Sequence, residues 1–465
     1  MTGLYPHTSG CVENNVPLPA NARCLPELDG FSEYATAYMG KWHLGDEVFA
    51  QHGFDEWVSI EDMYHEHFGE DRPDDAHSTY YRYLIEQGCE PDIDDDGFER
   101  FSRGFCTDLP EEHSKPAFLG REASRFVREH RDEPFVLYVN FLEPHSPYTS
   151  PRDDQYDPDD VDFPPNFEHD GLDDQPLRDR LDRAAVQAGP RFPGTDEPPT
   201  RADWRELVAR YWGLASLVDT HAGRILDTLD DCGLAGETLT VYTSDHGAMM
   251  GSHQHPDKKT MYDEAARIPL IVRFPTDSAI SGSIGDESTR NGSARDDTTA
   301  GERVSAPISQ IDLVPTLLDA MGNPVPDHLQ GHSLVPFLDG ETETLPEEYV
   351  VIEGNGGNAG ALTARVGSPG SRQKLPEAVV EAGEHLADER EQLRALTEPV
   401  RAVVTPENDE LVCYRSGDRR LFDLDDDPFE IEDLADDPAQ EDRVRKIESR
   451  LFEWQVRTGD PVVLF

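Results

Sequence analysis

The chain has 465 residues, with 95 acidic against 41 basic side chains and a formal charge of −54. A surface of that sign repels nucleic acid and anionic membranes, and no apolar run reaches membrane-spanning length, so a nucleic-acid partner and membrane insertion are excluded. A hydrophobic fraction of 36% over this length is low for a globular protein, yet enough for one large core and a smaller domain.

The acid surplus runs along the whole sequence, and lysine occurs only at 41, 115, 258, 259, 374 and 446. Such an acid-rich, lysine-poor chain is expected from a salt-loving source, where self-repulsion is screened. Cysteines 11, 24, 89, 106, 232 and 413 show neither Cys-x-x-Cys pairing nor zinc spacing and read as reduced and structural. There is no charged-then-apolar signal pattern, so the expected location is cytoplasmic.

In chain order, Tyr34 to Met39 alternates as a strand and ends in Gly-Lys-Trp-His-Leu-Gly, residues 40–45. On an extended segment residues two apart face the same way, so Lys41 and His43 are expected in one site with Trp42 in the packing. Glu47 to Leu109 is aromatic, acidic and irregular. Its acid run at Asp92 to Asp96 does not have EF-hand spacing and reads as a solvated loop. Leu119 to Arg131 predicts an amphipathic helix with Phe126 and Val127 inward, and Pro134 to Leu142 an apolar strand ended by Glu-Pro-His145-Ser-Pro.

Pro151 to Arg201 shows almost no periodicity and is expected to be a surface insertion that shapes access to a site. Trp204 to Cys232 has helical periodicity for one or two helices, with Asp219 and His221 in structural roles. Thr238 to Thr243 is a β-branched, apolar strand that stops at Ser244-Asp245-His246-Gly247. In open α/β sheets ligands lie beyond the carboxyl ends of strands, so Asp245 and His246 stand where a metal or anion is held, and Gly247 lets the backbone turn. A loop with His253, His255 and Lys258 leads to a further strand, Ile268 to Phe274. Thr276 to Arg303 reads as a flexible insertion and Ser309 to Leu318 as a helix. Beyond residue 340, strands near 349–353, 401–405, 411–414 and 420–424 and a helix near 440–456 predict a small α+β subdomain, 341–465, after an α/β domain of 1–340.

Four phrases together resemble the sulfatase family of the alkaline phosphatase superfamily. They are Gly-Lys-Trp-His-Leu-Gly, Pro-His145-Ser-Pro, the run Ser-Asp-His-Gly to Lys258-x-Thr-x-Tyr-Asp-Glu-x-x-Arg-Ile-Pro, and Leu421-Phe-Asp-Leu with Asp427-Pro-x-Glu. The resemblance implies an α/β fold with a large mixed, mostly parallel sheet flanked by helices, and a small C-terminal antiparallel sheet with a helix. It implies Lys41, His43, His145 and Lys258 as catalytic residues. Asp245 and His246 would hold a divalent metal, calcium first, with manganese or zinc admitted by the imidazole. The substrate it implies is a small-molecule or sugar sulfate ester. His43 and either His145 or a residue of the His253 loop would handle protons. The pattern departs at Glu33, where the family has glycine, and in its nucleophile: the Cys or Ser-x-Pro-x-Arg that becomes formylglycine, and the Asp-Asp strand end, do not occur. Thr2 to His7 resembles the family's phrase at the end of the helix that the nucleophile motif begins. The pattern is therefore expected to be truncated at its N-terminus and the chain by itself inactive on sulfate esters. The alternatives are a phosphodiester or phosphonate monoester hydrolase of the same superfamily, or a non-catalytic anion-binding homologue.

Overall fold

The computed structural model describes residues 1–73, 75–93, 97–276, 303–356, 364–365 and 373–464. The end of the acid run, residues 94–96, and most of the insertion expected at 276–303 lie outside them. The first strand, β1 (Ala35–Gly40), pairs in parallel with β2 (Glu56–Val58) on one side and β3 (Phe135–Asn140) on the other. Its pleat sends alternate side chains to opposite faces. Ala37 and Met39 enter a core with Phe118, Leu119, Ala123 and Phe126, while Tyr38 packs among Trp42, Phe54 and Trp57 on the other side. Both faces are covered, as a parallel sheet requires.

The helix between them, α1 (Lys115–Glu129), is capped by Ser114, whose hydroxyl accepts from Ala117 N, and it carries a proline in its first turn. It buries Phe126 and Val127 as the periodicity predicts. A second helix, α2 (Leu177–Gln187), lies in the stretch expected to have no regular structure. The expectation failed because its stripe, Leu181 and Ala185, is thin and broken by Arg and Asp, and its partners Leu375, Val379, Ala395 and Leu396 come some two hundred residues later. A third, α3 (Arg201–Asp231), is one continuous 31-residue helix with a capping box at Thr200 and Asp203. Its Asp219 is exposed and its His221 is packed against Gly120 of α1, the structural roles expected.

Then β4 (Thr240–Thr243) pairs antiparallel with β5 (Leu270–Arg273), and α4 (Leu313–Ala320) follows. The C-terminal sheet comprises β6 (Val350–Gly354), β7 (Val400–Val404), β8 (Asp409–Tyr414) and β9 (Arg419–Asp423), antiparallel in the spatial order β9-β8-β7-β6. Between β6 and β7 lie α5 (Glu377–Gly383) and α6 (Glu389–Leu396), which hold α2, and α7 (Glu441–Thr458) closes the chain. Val444, Ile447, Leu451 and Trp454 of α7 pack on Val403, Leu411 and Leu421, and Tyr5 joins the same cluster. His7 Nδ1 lies 2.8 Å from Glu353 Oε1, so the N-terminal turn is also tied to β6. A parallel sheet with flanking helices and a C-terminal antiparallel sheet with its helix are thus the architecture that the resemblance implies. All six cysteines are free, and among the described residues no helix is long and apolar enough to cross a membrane.

Candidate active site

The site forms where β1, β3 and β4 end. Gly40 has φ +123° and a Cβ there would lie 1.9 Å from Asn140 O, so only glycine lets the two strand ends close. Lys41 N donates to Asn140 O at 3.1 Å, and the Asn140 amide donates to Lys41 O at 2.7 Å. Beyond Lys41 the chain is no longer extended, because His43 has φ +65°. Lys41 and His43 still reach one site, but for a different reason from the alternation expected. Glu47, 2% exposed, accepts from Trp42 N at 2.8 Å through one oxygen and from His43 N at 2.6 Å through the other. That carboxylate holds the left-handed turn, and Trp42 goes into the packing as expected.

His43 lies against the Tyr64 ring, centroids 4.7 Å apart. Behind Tyr64, Arg103 and Lys115 share the buried Glu61. Burial opposes ionisation of Glu61, yet the two cations hold it down at about 2. His145 donates from Nδ1 to Ser146 O at 2.9 Å, which leaves its Nε2 lone pair free. Burial lowers His43 to about 3, reinforced by Lys41 and Arg103. His145 falls to about 4 through burial, then Lys258 and Lys41. Burial likewise lowers Lys41, with Arg103 and Lys258 pushing the same way and Asp245 opposing. Lys41, His43, His145, Lys258 and Asp245 therefore share one electrostatic field, and near neutral pH both histidines enter it uncharged.

Asp245 and His246 follow β4. His246 Nδ1 lies 2.7 Å from Gly247 O and can only donate to it, so a neutral ring would present its Nε2 lone pair toward Asp245 Oδ2, 3.5 Å away. Two acceptors that close suit a cation between them, and a ring fixed by a backbone carbonyl is the usual support of a metal-ligating histidine. Their side chains are 77% and 37% exposed, so the pair is accessible. These two fit one side of a divalent-ion shell. Gly247 acts through close approach rather than an unusual φ, since a Cβ would sit 2.1 Å from Glu264 O.

Two other ligand-type groups are structural. Cys24, Glu27 and His52 cluster closely, but Glu27 Oε2 already accepts from Cys24 N at 2.8 Å and faces His52 Nδ1 at 3.2 Å, while His52 Nε2 faces Leu18 O at 3.2 Å. The two histidines of the loop that carries Lys258 are packed away with partners of their own. His253 is fully buried, 3.1 Å from His169 and stacked on Tyr262, and His255 is tied to Asp182 at 2.9 Å. Sequence reasoning missed Glu47, Glu61, Tyr64, Arg103 and Lys115. Lys115, one of six lysines and directly after a Ser cap, carried a faint signal; Glu61 and Arg103, 42 residues apart, carried none.

Cations and neutral histidines gather at the ends of β1 and β3, beside a metal-type Asp-His pair at the end of β4, in an alkaline phosphatase-like fold. The sulfatase family model matches residues 1–323, and the chain belongs to that family. It is 25% identical over 364 residues to an ulvan-active sulfatase of Formosa agariphila, covering 76% of this chain and 57% of that protein. Against an N-acetylglucosamine-6-O-sulfatase of Bacteroides thetaiotaomicron identity is 28% over 396 residues, covering 74% and 62%. The chain thus spans about three fifths of the length of these curated relatives. Among solved structures it resembles a phosphonate monoester hydrolase from Silicibacter pomeroyi, with TM-score 0.68, 23% identity, and 98% and 84% of the two chains covered. A 2-O GAG sulfatase gives TM-score 0.62 and 20% identity, with 99% and 80% covered. Membership of this family implies a divalent metal.

Proposed function

We propose that the chain forms the anion- and metal-binding site of a sulfatase acting on sulfate monoesters of sugars. The observation that carries this reading is the convergence of Lys41, Lys258 and Arg103 beside Asp245 and His246 in a chain of net charge −54, a local reversal of sign that suits a small anion. The relatives named for ulvan and for N-acetylglucosamine 6-sulfate support a sugar ester. Lys41 and Lys258 take the non-bridging sulfate oxygens. His145, its Nδ1 tied to Ser146, offers Nε2 to a proton and can return that proton to the leaving oxygen. An anion among the lysines removes part of the field that holds both histidines neutral, so substrate brings His145 toward the range where it exchanges protons. Asp245 and His246 would hold the divalent ion, which we assign to calcium before manganese or zinc, and the ion would supply Lewis-acid chemistry there. The formylglycine precursor is the part of this chemistry that residues 1–465 do not carry.

The test is binding. Titration calorimetry in calcium and molar KCl is expected to show 4-nitrophenyl sulfate bound, with Lys41→Met weakening it about tenfold, roughly 1.4 kcal/mol. Tighter binding of phenyl phosphonate than of the sulfate would shift the reading to phosphonate ester hydrolysis, which the Silicibacter likeness favours. No binding of either overturns the proposal. The acid-rich, lysine-poor composition supports a protein adapted to high salt, so thermal unfolding is expected at higher temperature in 2 M than in 0.1 M KCl; the opposite order refutes that assignment.

A further inference from the structure

Arg103 begins a short helix, Arg103–Thr107, capped by the Ser102 hydroxyl, in the region the sequence shows as aromatic, acidic and irregular. Its Nε donates to Glu61 Oε2 at 3.0 Å, and its Nη2 donates to the same carboxylate and to the Tyr64 hydroxyl at 3.0 Å. The other Glu61 oxygen is taken by Lys115 Nζ. Two cations thus share one carboxylate. Among the described residues Arg103 Nη1 makes no hydrogen bond, and the side chain is 16% exposed.

Tyr64 lies between this guanidinium and His43, so Arg103 stands one ring away from the reaction site. Its charge acts on Lys41, His43 and His145 alike. Lys41 and Lys258 suffice for the non-bridging oxygens of a single ester. A guanidinium clamped along one side and open at Nη1 is preorganised to meet a planar or tetrahedral anion without paying the entropy of ordering a long side chain. We propose that Arg103 forms a second anion subsite, which takes another anionic substituent of the sugar, a carboxylate or a further sulfate, beside the ester held by Lys41 and Lys258. The inference rests on the sulfate-ester reading above.

The experiment is calorimetric binding to the calcium-loaded chain in 2 M KCl, where screening to a few ångströms leaves only local contacts. The probes are glucosamine 6-sulfate, glucosamine 2-N,6-O-disulfate and iduronate 2-sulfate. The expected result is at least tenfold tighter binding of one double anion than of glucosamine 6-sulfate, and the preferred probe tells whether the second group is sulfate or carboxylate. Arg103→Gln should bring that ratio below threefold by weakening the double anion more than it weakens glucosamine 6-sulfate. Arg103→Lys, which keeps a cation for Glu61 but lacks the fork, should give an intermediate ratio and decides the matter if the Gln variant does not fold. Equal affinity of wild type for single and double anions, or a ratio unchanged in the Lys variant, overturns the subsite and leaves the sulfate-ester reading standing. If none of the probes nor 4-nitrophenyl sulfate binds, that reading fails and the subsite falls with it.

Discussion

Two buried clusters of like charge are built on either side of the segment from Asp245 to Arg267, and they resolve the same physical problem in opposite ways. On one side Lys41, Lys115 and Arg103 gather around the fully buried carboxylate of Glu61, with Lys258 and the buried carboxyls of Glu47 and Glu143 nearby. On the other, Glu410 of β8 and Glu430 are both buried, with Asp263 and Glu264 close by and Arg420 as the countercharge. Glu430 accepts from Asp263 N at 2.7 Å, and Glu264 accepts from the Asn166 amide at 2.8 Å. Burial, then the neighbouring carboxylates, raises both Glu410 and Glu430 above the ordinary carboxylate range. A carboxyl can relieve such crowding by keeping its proton, so this junction closes dry and fastens the C-terminal sheet to the site segment. A guanidinium cannot discharge itself. In the cation cluster the histidines give way instead, and the remaining positive charge is left for an anion to neutralise.

The largest effect should come from Glu61→Ala, which strands Lys115 and Arg103 without their shared partner. About 3–5 kcal/mol of stability should be lost in chemical denaturation, the range for an uncompensated buried charge. A loss below about 1 kcal/mol would mean that water already solvates both cations, and the contrast between the two clusters would collapse.

Glu410→Gln probes the acid junction through pH. Both carboxyls have folded values raised above the ordinary 4.5, so their favourable contribution is complete below that value and is lost as pH rises through the raised ones. Replacing one by an amide removes part of that loss. Between pH 5 and pH 8 urea unfolding should therefore show the variant gaining about 1–3 kcal/mol on the wild type, one pKa unit being worth 1.36 kcal/mol. Parallel curves for the two proteins would show that the pair does not titrate as described.

Glu47→Gln sharpens the comparison most finely, because Glu47 is a buried carboxyl placed on the cationic side. Burial raises it to about 7 although Trp42 N and His43 N both bond to it. An amide has one acceptor oxygen, so one of those two bonds is lost, at about 1–2 kcal/mol. The expected readout is about tenfold weaker binding of 4-nitrophenyl sulfate with a smaller change in the unfolding midpoint. Unchanged affinity would show that the left-handed turn at His43 holds without the clamp.

Much of the fold was legible in the chain. β1, β3, α1, β4, the four C-terminal strands and α7 fall within a few residues of where alternation, apolar runs and turn residues put them, since each carries its own periodic signal. The stretch of α3 was read as one or two helices, and the structure makes it one. Helices α2, α5 and α6 were not seen, because their apolar residues make sense only against one another across some two hundred residues. At the site, Lys41, His43, His145, Lys258, Asp245 and His246 all belong to short phrases that sequence alone singled out. His253 and His255 were drawn into the same reading by proximity in sequence, yet the fold buries both with partners of their own.

The amino-acid sequence by itself determined the strand ends on which the candidate site residues stand, the family they resemble, and the sign of the surface around them. Tertiary structure alone decided the electrostatics. Glu61 and Arg103 are 42 residues apart, and Glu47 grips a turn that looked like plain strand. A local sequence window records which groups a segment carries, but a pKa or a free guanidinium edge depends on desolvation and on distances between segments, and these exist only once the chain has folded.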